Sequence, residues 1–167
     1  GANDGASGVG VLLEVARQLS LQQPSIGIDI VFFDAEDWGD GTGQHENSFC
    51  LGSQYWTQHL HVPNYKADYC ILLDMVGAPN AMFGFEGYSL KNAPTILSKI
   101  WQAGNEAGYG QYFKNFERGA IYDDHYYIMK DLKIKTAPRS FRKQQRHWCA
   151  RWAPAILTRP RVPRARI

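Results

Sequence analysis

Hydrophobic and polar positions divide the chain into two short apolar runs and several stretches of helical period. Ile28 to Phe33 is apolar except for Asp29 and stops abruptly at Asp34, Glu36, Asp37 and Asp40. Tyr69 to Val76 is nearly continuous, with Asp74 as its one acid. Short β-branched and aromatic runs ending in polar residues predict strands, and a run without alternation predicts a strand covered on both faces. From Gly8 to Leu21, Val9, Leu12, Leu13, Val15, Ala16 and Leu19 recur at helical spacing, with Ser7 in position to cap. Leu51 to Leu60 predicts a short helix, and Ala93 to Ala107 a surface helix with Pro94 in its first turn. Met82 to Phe85 predicts a short strand, and Gly108 to Arg118 an aromatic-rich loop or edge strand. Strand and helix patterns alternate, giving a mostly parallel sheet with helices on both faces.

The acids interrupt this pattern where chemistry is expected. Ligands of open α/β sheets bind outside the carboxyl ends of the strands. The acids after Phe33 are expected there, where crowding raises a pKa or attracts a cation; a solvated acidic loop is the alternative. Asp74 stands in an apolar run, where a carboxylate is costly unless paired or protonated. Asp4 precedes a helix N-terminus, which favours its ionised form, or it is a turn residue. Ile121 to Met129 packs Asp123, Asp124 and His125 among aromatic residues. That group either handles protons near neutral pH or starts a helix.

Composition narrows the class. The 167 residues, 44% of them apolar, suit one domain with a real core. No run reaches the roughly 18 apolar residues of a membrane span. The net charge of +2 conceals an asymmetry: residues 139–167 hold nine basic residues and no acid, leaving a net of −7 on residues 1–138. The basic segment has no nucleic-acid motif or amphipathic period, and Pro154, Pro160 and Pro163 break any helix. It is expected to be a disordered or frameshifted tail that binds no nucleic acid. Cys50, Cys70 and Cys149 lack metal-type spacing, and Cys50 with Cys70 leaves a disulfide or buried free thiols open. The opening at Gly1, inside a motif-like GANDGASG, leads to the expectation of a missing N-terminus.

GANDGASGVGVLLEVAR, VFFDAED, CLGSQYW, LLDMVGAPN and DDHYYIM, in that order, resemble the zinc-dependent exopeptidase-like fold of the M28 peptidases. LLDMVGAPN and DDH look closest to the glutaminyl cyclases, particularly the bacterial ones. The resemblance covers Gly1 to about Lys135 and implies a three-layer α/β/α architecture with a mostly parallel central mixed sheet. It implies a partial catalytic domain over 1–138, N-terminally truncated. It further implies Zn2+, with Asp4 and Asp37 as ligands, Glu36 as general acid/base, and Asp74 and Asp123 in a hydrogen-bond network with His125 beside it. Trp38 would line the substrate pocket.

The activity implied is conversion of the N-terminal glutamine of peptides to pyroglutamate with release of ammonia. A zinc aminopeptidase of the same fold is the alternative, and an inactive fragment without a complete metal site is the second. A periplasmic or secreted location is implied because bacterial relatives are exported. From Thr136 onwards the family's apolar strand is expected to be lost. His147 precedes Trp148, the reverse of the family's Trp-His pair, so His147 is not assigned as the third ligand.

Overall fold

The computed structural model describes residues 1–42, 47–139 and 152–159. In chain order these form α1 (Gly5–Leu21), β1 (Gly27–Asp34), α2 (Leu51–Gln58), β2 (Tyr69–Leu73), β3 (Phe83–Phe85) and α3 (Gly87–Asn92). They continue with α4 (Pro94–Glu106), β4 (Phe113–Glu117), α5 (Asp124–Leu132), β5 (Lys135–Arg139) and β6 (Trp152–Arg159). The central sheet has the order β1-β6-β2-β5. Strand β6 runs antiparallel to both β1 and β2, and β2 is parallel to β5. Three strands therefore share one direction and β6 alone opposes them. A two-stranded parallel sheet of β3 and β4 stands apart from it.

Alternation along the strands builds two cores. Phe33, Cys70, Leu72 and Leu157 pack with Ile128 of α5 and, at the margin, Trp56 of α2. On β5, Thr136 directs its hydroxyl to the carbonyl of His125 in α5 (3.4 Å), whereas Ala137 joins Leu97, Trp101, Phe83 and Phe113. Successive residues of a strand face opposite sides, so α5 and α4 cover opposite faces of the sheet. The indole of Trp101 also donates to the Lys114 carbonyl at 3.1 Å, fastening α4 to β4.

Several local expectations change. Helix α1 begins at Gly5, and Ser7 is inside it rather than at its cap. The Ser7 hydroxyl donates to the carbonyls of Asn3 and Asp4 and accepts from Val76 N–H at 3.0 Å. It thus ties the start of α1 to the end of β2. Helix α3 carries no long periodic pattern and is held by its cap, Glu86. The strand expected to be lost after Thr136 is present as β5, because its backbone pairs with β2 while Thr136 and Ala137 turn to opposite faces. The boundary expected at residue 138 falls within this strand. From the segment expected to be disordered, residues 152–159 form β6, inserted between β1 and β2. His147, Trp148 and Cys149 lie outside the described residues. Cys50 and Cys70 are buried free thiols.

The close approach of α1 to β2 requires a glycine. A β-carbon at Gly77 would stand 2.7 Å from the Ser7 β-carbon, whereas one at Gly10, also in α1, would meet nothing. Gly77→Ala is expected to destabilise the fold by about 1–3 kcal/mol. Gly10→Ala is expected to stabilise it by about 0.5–1 kcal/mol. Denaturant midpoints of the two variants, read against the parent, should move in opposite directions.

Candidate active site

Topology assembles the acids. Because β1 and β2 are both antiparallel to β6, their carboxyl ends lie at the same end of the sheet. Ser7 holds the start of α1 there, and α5 begins there because it runs into β5, parallel to β2. The backbone turns sharply as each strand ends, with the non-glycine residues Ala35 and Met75 in the left-handed region (φ 51° and 50°). Such turns cost roughly 1 kcal/mol or more per residue. The one at Ala35 swings Glu36 out of the strand direction, and the one at Met75 turns the chain away directly after Asp74. Cys50, at φ 57°, closes the loop from the other side, its N–H donating to the Glu36 carbonyl at 2.8 Å. Leu51 N–H similarly donates to the Ala35 carbonyl at 3.2 Å.

The five residues that the resemblance implied as ligands and catalytic acids, Asp4, Glu36, Asp37, Asp74 and Asp123, meet here. Glu36 lies within electrostatic reach of Asp123, Asp37 and Asp74, and Asp4 within reach of Asp37 and Asp123. Ligand atoms of Glu36, Cys50 and Asp123 fall within 4.8 Å of one another. Asp123 is buried and caps α5, accepting from Asp124 N–H at 2.6 Å. Two of the four acids after Phe33 go elsewhere. Asp34 is exposed beside α2, and Asp40 closes a turn by accepting from Thr42 N–H and its hydroxyl (2.8 and 2.7 Å). Trp38 is 76% exposed next to Asp37.

Crowding sets the protonation of this cluster. Burial first, then the negative charges of Asp123, Asp37, Asp74 and Asp124, push Glu36 up to about 10. Burial, then Asp123, Asp4 and Asp37, hold Asp74 well above the usual carboxylate range. Asp4 is raised by burial and then by Asp37, against the opposing effects of the amino terminus and the Gly5 N–H. Burial and Asp123 also raise Asp124, with Ser53 and Cys50 offsetting part of the effect. The Cys50 thiol is pushed up by burial and by Asp124.

Sequence reasoning named Asp124 only as part of the group around Asp123 and gave Cys50 and Glu86 no place in the site. Asp124 is fully buried, and Glu86 is 2% exposed. Glu86 caps α3 and lies 3.4 Å from the buried His125 imidazole. Its sequence signal was an acid immediately before a helix start.

The donor set suits a divalent cation. Asp4 and Asp37 offer carboxylates whose mutual repulsion a cation would relieve. Catalytic zinc commonly has three protein ligands, and Asp4 and Asp37 offer two.

Residues 1–150 match the family model for Peptidase family M28. Among solved structures, the chain is 51% identical to a Zn-dependent exopeptidase from Parabacteroides distasonis, with a TM-score of 0.81 over 83% of this chain and 49% of that one. It is 50% identical to the Bacteroides thetaiotaomicron glutaminyl cyclase bound to N-acetylhistamine, with a TM-score of 0.79 and the same coverage. It is also 50% identical to the Tannerella forsythia glutaminyl cyclase, with a TM-score of 0.78 over 83% of this chain and 49% of that one. The chain thus spans about half the length of these solved structures. No curated protein matches it.

The raised acids carry a pH signature. Stripped of metal, the folded chain binds more protons than the unfolded chain between the ordinary carboxylate pKa near 4.5 and the Glu36 value of about 10. Stability should therefore be greatest at the acid end of this window and fall as pH rises, by up to about 1.4 kcal/mol per pH unit for each proton held. Thermal melts of chelated protein from pH 5 to 9 measure this, and Glu36→Gln should flatten the decline.

Proposed function

The chain belongs to peptidase family M28, and within that family we propose that it carries the catalytic acids of a zinc-dependent glutaminyl-peptide cyclotransferase. The observation that carries the reading is the convergence of Glu36 with Asp37, Asp74 and Asp123 around one carboxyl group of raised pKa. Half-identical structures named glutaminyl cyclases support it. Each proposed site residue falls within residues 1–138, the segment assigned to the catalytic domain.

The substrate is a peptide with an N-terminal glutamine, and the reaction is internal. Its α-amine nitrogen attacks the side-chain amide carbon, the new C–N bond closes the lactam, and the old C–N bond breaks to release ammonia. One proton leaves the amine and one joins the departing nitrogen, so a single carboxylate can carry it between them. Glu36 has that role. It must be ionised to accept the proton and protonated to return it, which a strongly raised pKa favours on the return and a nearby cation favours on the acceptance. Zinc held by Asp4 and Asp37 would supply a Lewis acid for the amide carbonyl and positive charge beside Glu36. Asp74 and Asp123 share protons with Glu36 and keep it poised. Exposed Trp38 offers a face for the peptide at the rim.

A second reading, a zinc aminopeptidase, is supported by the neighbour named a Zn-dependent exopeptidase. There the same carboxylate would activate water. No helix among the described residues is long and apolar enough to cross a membrane. A periplasmic or secreted location rests on the resemblance to bacterial cyclases.

Incubated with zinc and a Gln-peptide, the protein should release ammonia and a cyclised peptide; free amino acid instead would establish the aminopeptidase. Glu36→Gln should lower ammonia release by roughly 10²–10⁴-fold. Zinc content, read by elemental analysis, should be unchanged in that variant. Loss of zinc along with activity would place Glu36 on the metal and remove it from the acid/base role.

A further inference from the structure

One buried carboxylate outside the proposed proton path grips the chain on both sides of the Asp123–Asp124 pair. Glu86 is 2% exposed. Its Oε1 accepts from Tyr88 N–H at 2.8 Å and from Ile121 N–H at 2.9 Å. Its Oε2 accepts from Ser89 N–H at 2.8 Å and from the Ser89 hydroxyl at 3.0 Å, and lies 3.4 Å from His125 Nε2. Ile121 is two residues before Asp123, and His125 is two residues after it. The contacts to Tyr88 and Ser89 suffice to cap α3. Those to Ile121 and His125 reach across to the acid-bearing turn, which capping does not require.

The fit there is close. A β-carbon at Gly87 would stand 2.8 Å from the Ala120 nitrogen, so the start of α3 presses directly on the strand-to-helix turn. Arg118 N–H donates to the Phe85 carbonyl at 2.6 Å, pinning the same turn one residue earlier on the Glu86 side. Burial alone would raise Glu86, but the His125 imidazole facing it at 3.4 Å, with the N–H groups of Ile121 and Tyr88, brings it down to about 2. Glu86 therefore stays a fixed acceptor across the working pH range.

We infer that Glu86 is a positioning residue: through Ile121 and His125 it fixes the N-terminal turn of α5 and so the placement of Asp123 and Asp124 against Glu36. The consequence for turnover rests on the cyclase reading; the placement itself does not. Glu86→Gln keeps the shape but leaves one acceptor oxygen in place of two. His125→Gln cuts the branch toward the acids, and Ser89→Ala cuts only the branch toward α3.

The test compares these variants by kinetics on a Gln-peptide, by thermal melting, and by the infrared carbonyl stretch of buried protonated carboxyl groups. The Asp124 contribution to that band is identified by its loss in Asp124→Asn. Glu86→Gln and His125→Gln should each lower kcat by about tenfold with KM changed less than about twofold, as outer-shell partners commonly do. The double variant should lose little more than either single one, because the two act through one contact. Ser89→Ala should lower the melting temperature and leave kcat and the band unchanged. The Asp124 band should shift in Glu86→Gln.

Loss of stability in Glu86→Gln with kcat and the band both unchanged would overturn the inference. If the parent releases no ammonia, the cyclase reading has failed, and the band alone decides: a shift in Glu86→Gln but not in Ser89→Ala upholds the positioning role, and no shift overturns it. If Glu86→Gln does not fold, His125→Gln carries the same comparison with the same two outcomes.

Discussion

Like-charge repulsion among buried and half-buried carboxyl groups is the constraint that the site and its surroundings answer to. Asp4, Glu36, Asp37, Asp74, Asp123 and Asp124 come from four separate stretches of the chain and share one region at the end of the sheet. Left to themselves, such groups would spread into water or bind protons. The fold prevents the first by fastening each approach. Ser7 ties α1 to Val76, Cys50 ties its loop to Glu36, and Glu86 ties the α5 turn on both sides. Protons supply the second: burial first, and the neighbouring charges after it, raise Glu36, Asp74 and Asp124. A cation is the other way to relieve the same repulsion. Metal affinity and proton affinity are then two expressions of one imposed crowding.

Much of the site was legible because the acids stood out against apolar runs. Asp74 inside YCILLDMV and the abrupt stop after Phe33 are local contrasts that need no knowledge of the fold. That Glu36 and Asp37 enter the site while Asp34 and Asp40 do not was unreadable from that contrast. The choice is made by the left-handed turn at Ala35 and by the Asp40 contacts to Thr42. Glu86 was missed for a related reason. Its partners at positions 121 and 125 are distant in sequence, and nothing in EGYS reveals them. Asp124 sat beside a chosen residue, but only the direction in which α5 starts buries it.

The helices and strands of regular period were legible within one to three residues, α4 within one, because an apolar face repeats along their length. The C-terminal elements were not. KTAPRS reads as polar and basic, yet β5 needs only Thr136 and Ala137 to face two cores while its backbone pairs with β2. Strand β6 carries Pro154 opposite Phe32, and proline is normally confined to edges because it cannot donate to a ladder. Tertiary pairing overrode a local signal that pointed away from a strand.

The placement of β6 also explains why the site is a crevice. It separates β1 from β2, so the two strands that deliver Glu36 and Asp74 stand two inter-strand spacings apart, roughly 10 Å. Their carboxyl ends cannot touch directly across that interval. The gap must be bridged from outside the sheet, and the groups that bridge it are the N-terminal ends of two helices, carrying Asp4 from one and Asp123 with Asp124 from the other. Helix N-termini present free N–H groups, which favour carboxylates there. Thus the strand order opens a space, helix polarity fills it with acids, the turn at Ala35 aims Glu36 into it, and Asp74 reaches it from the end of β2. Disturbing the order of the sheet would therefore disperse the acids even if every one of them were retained.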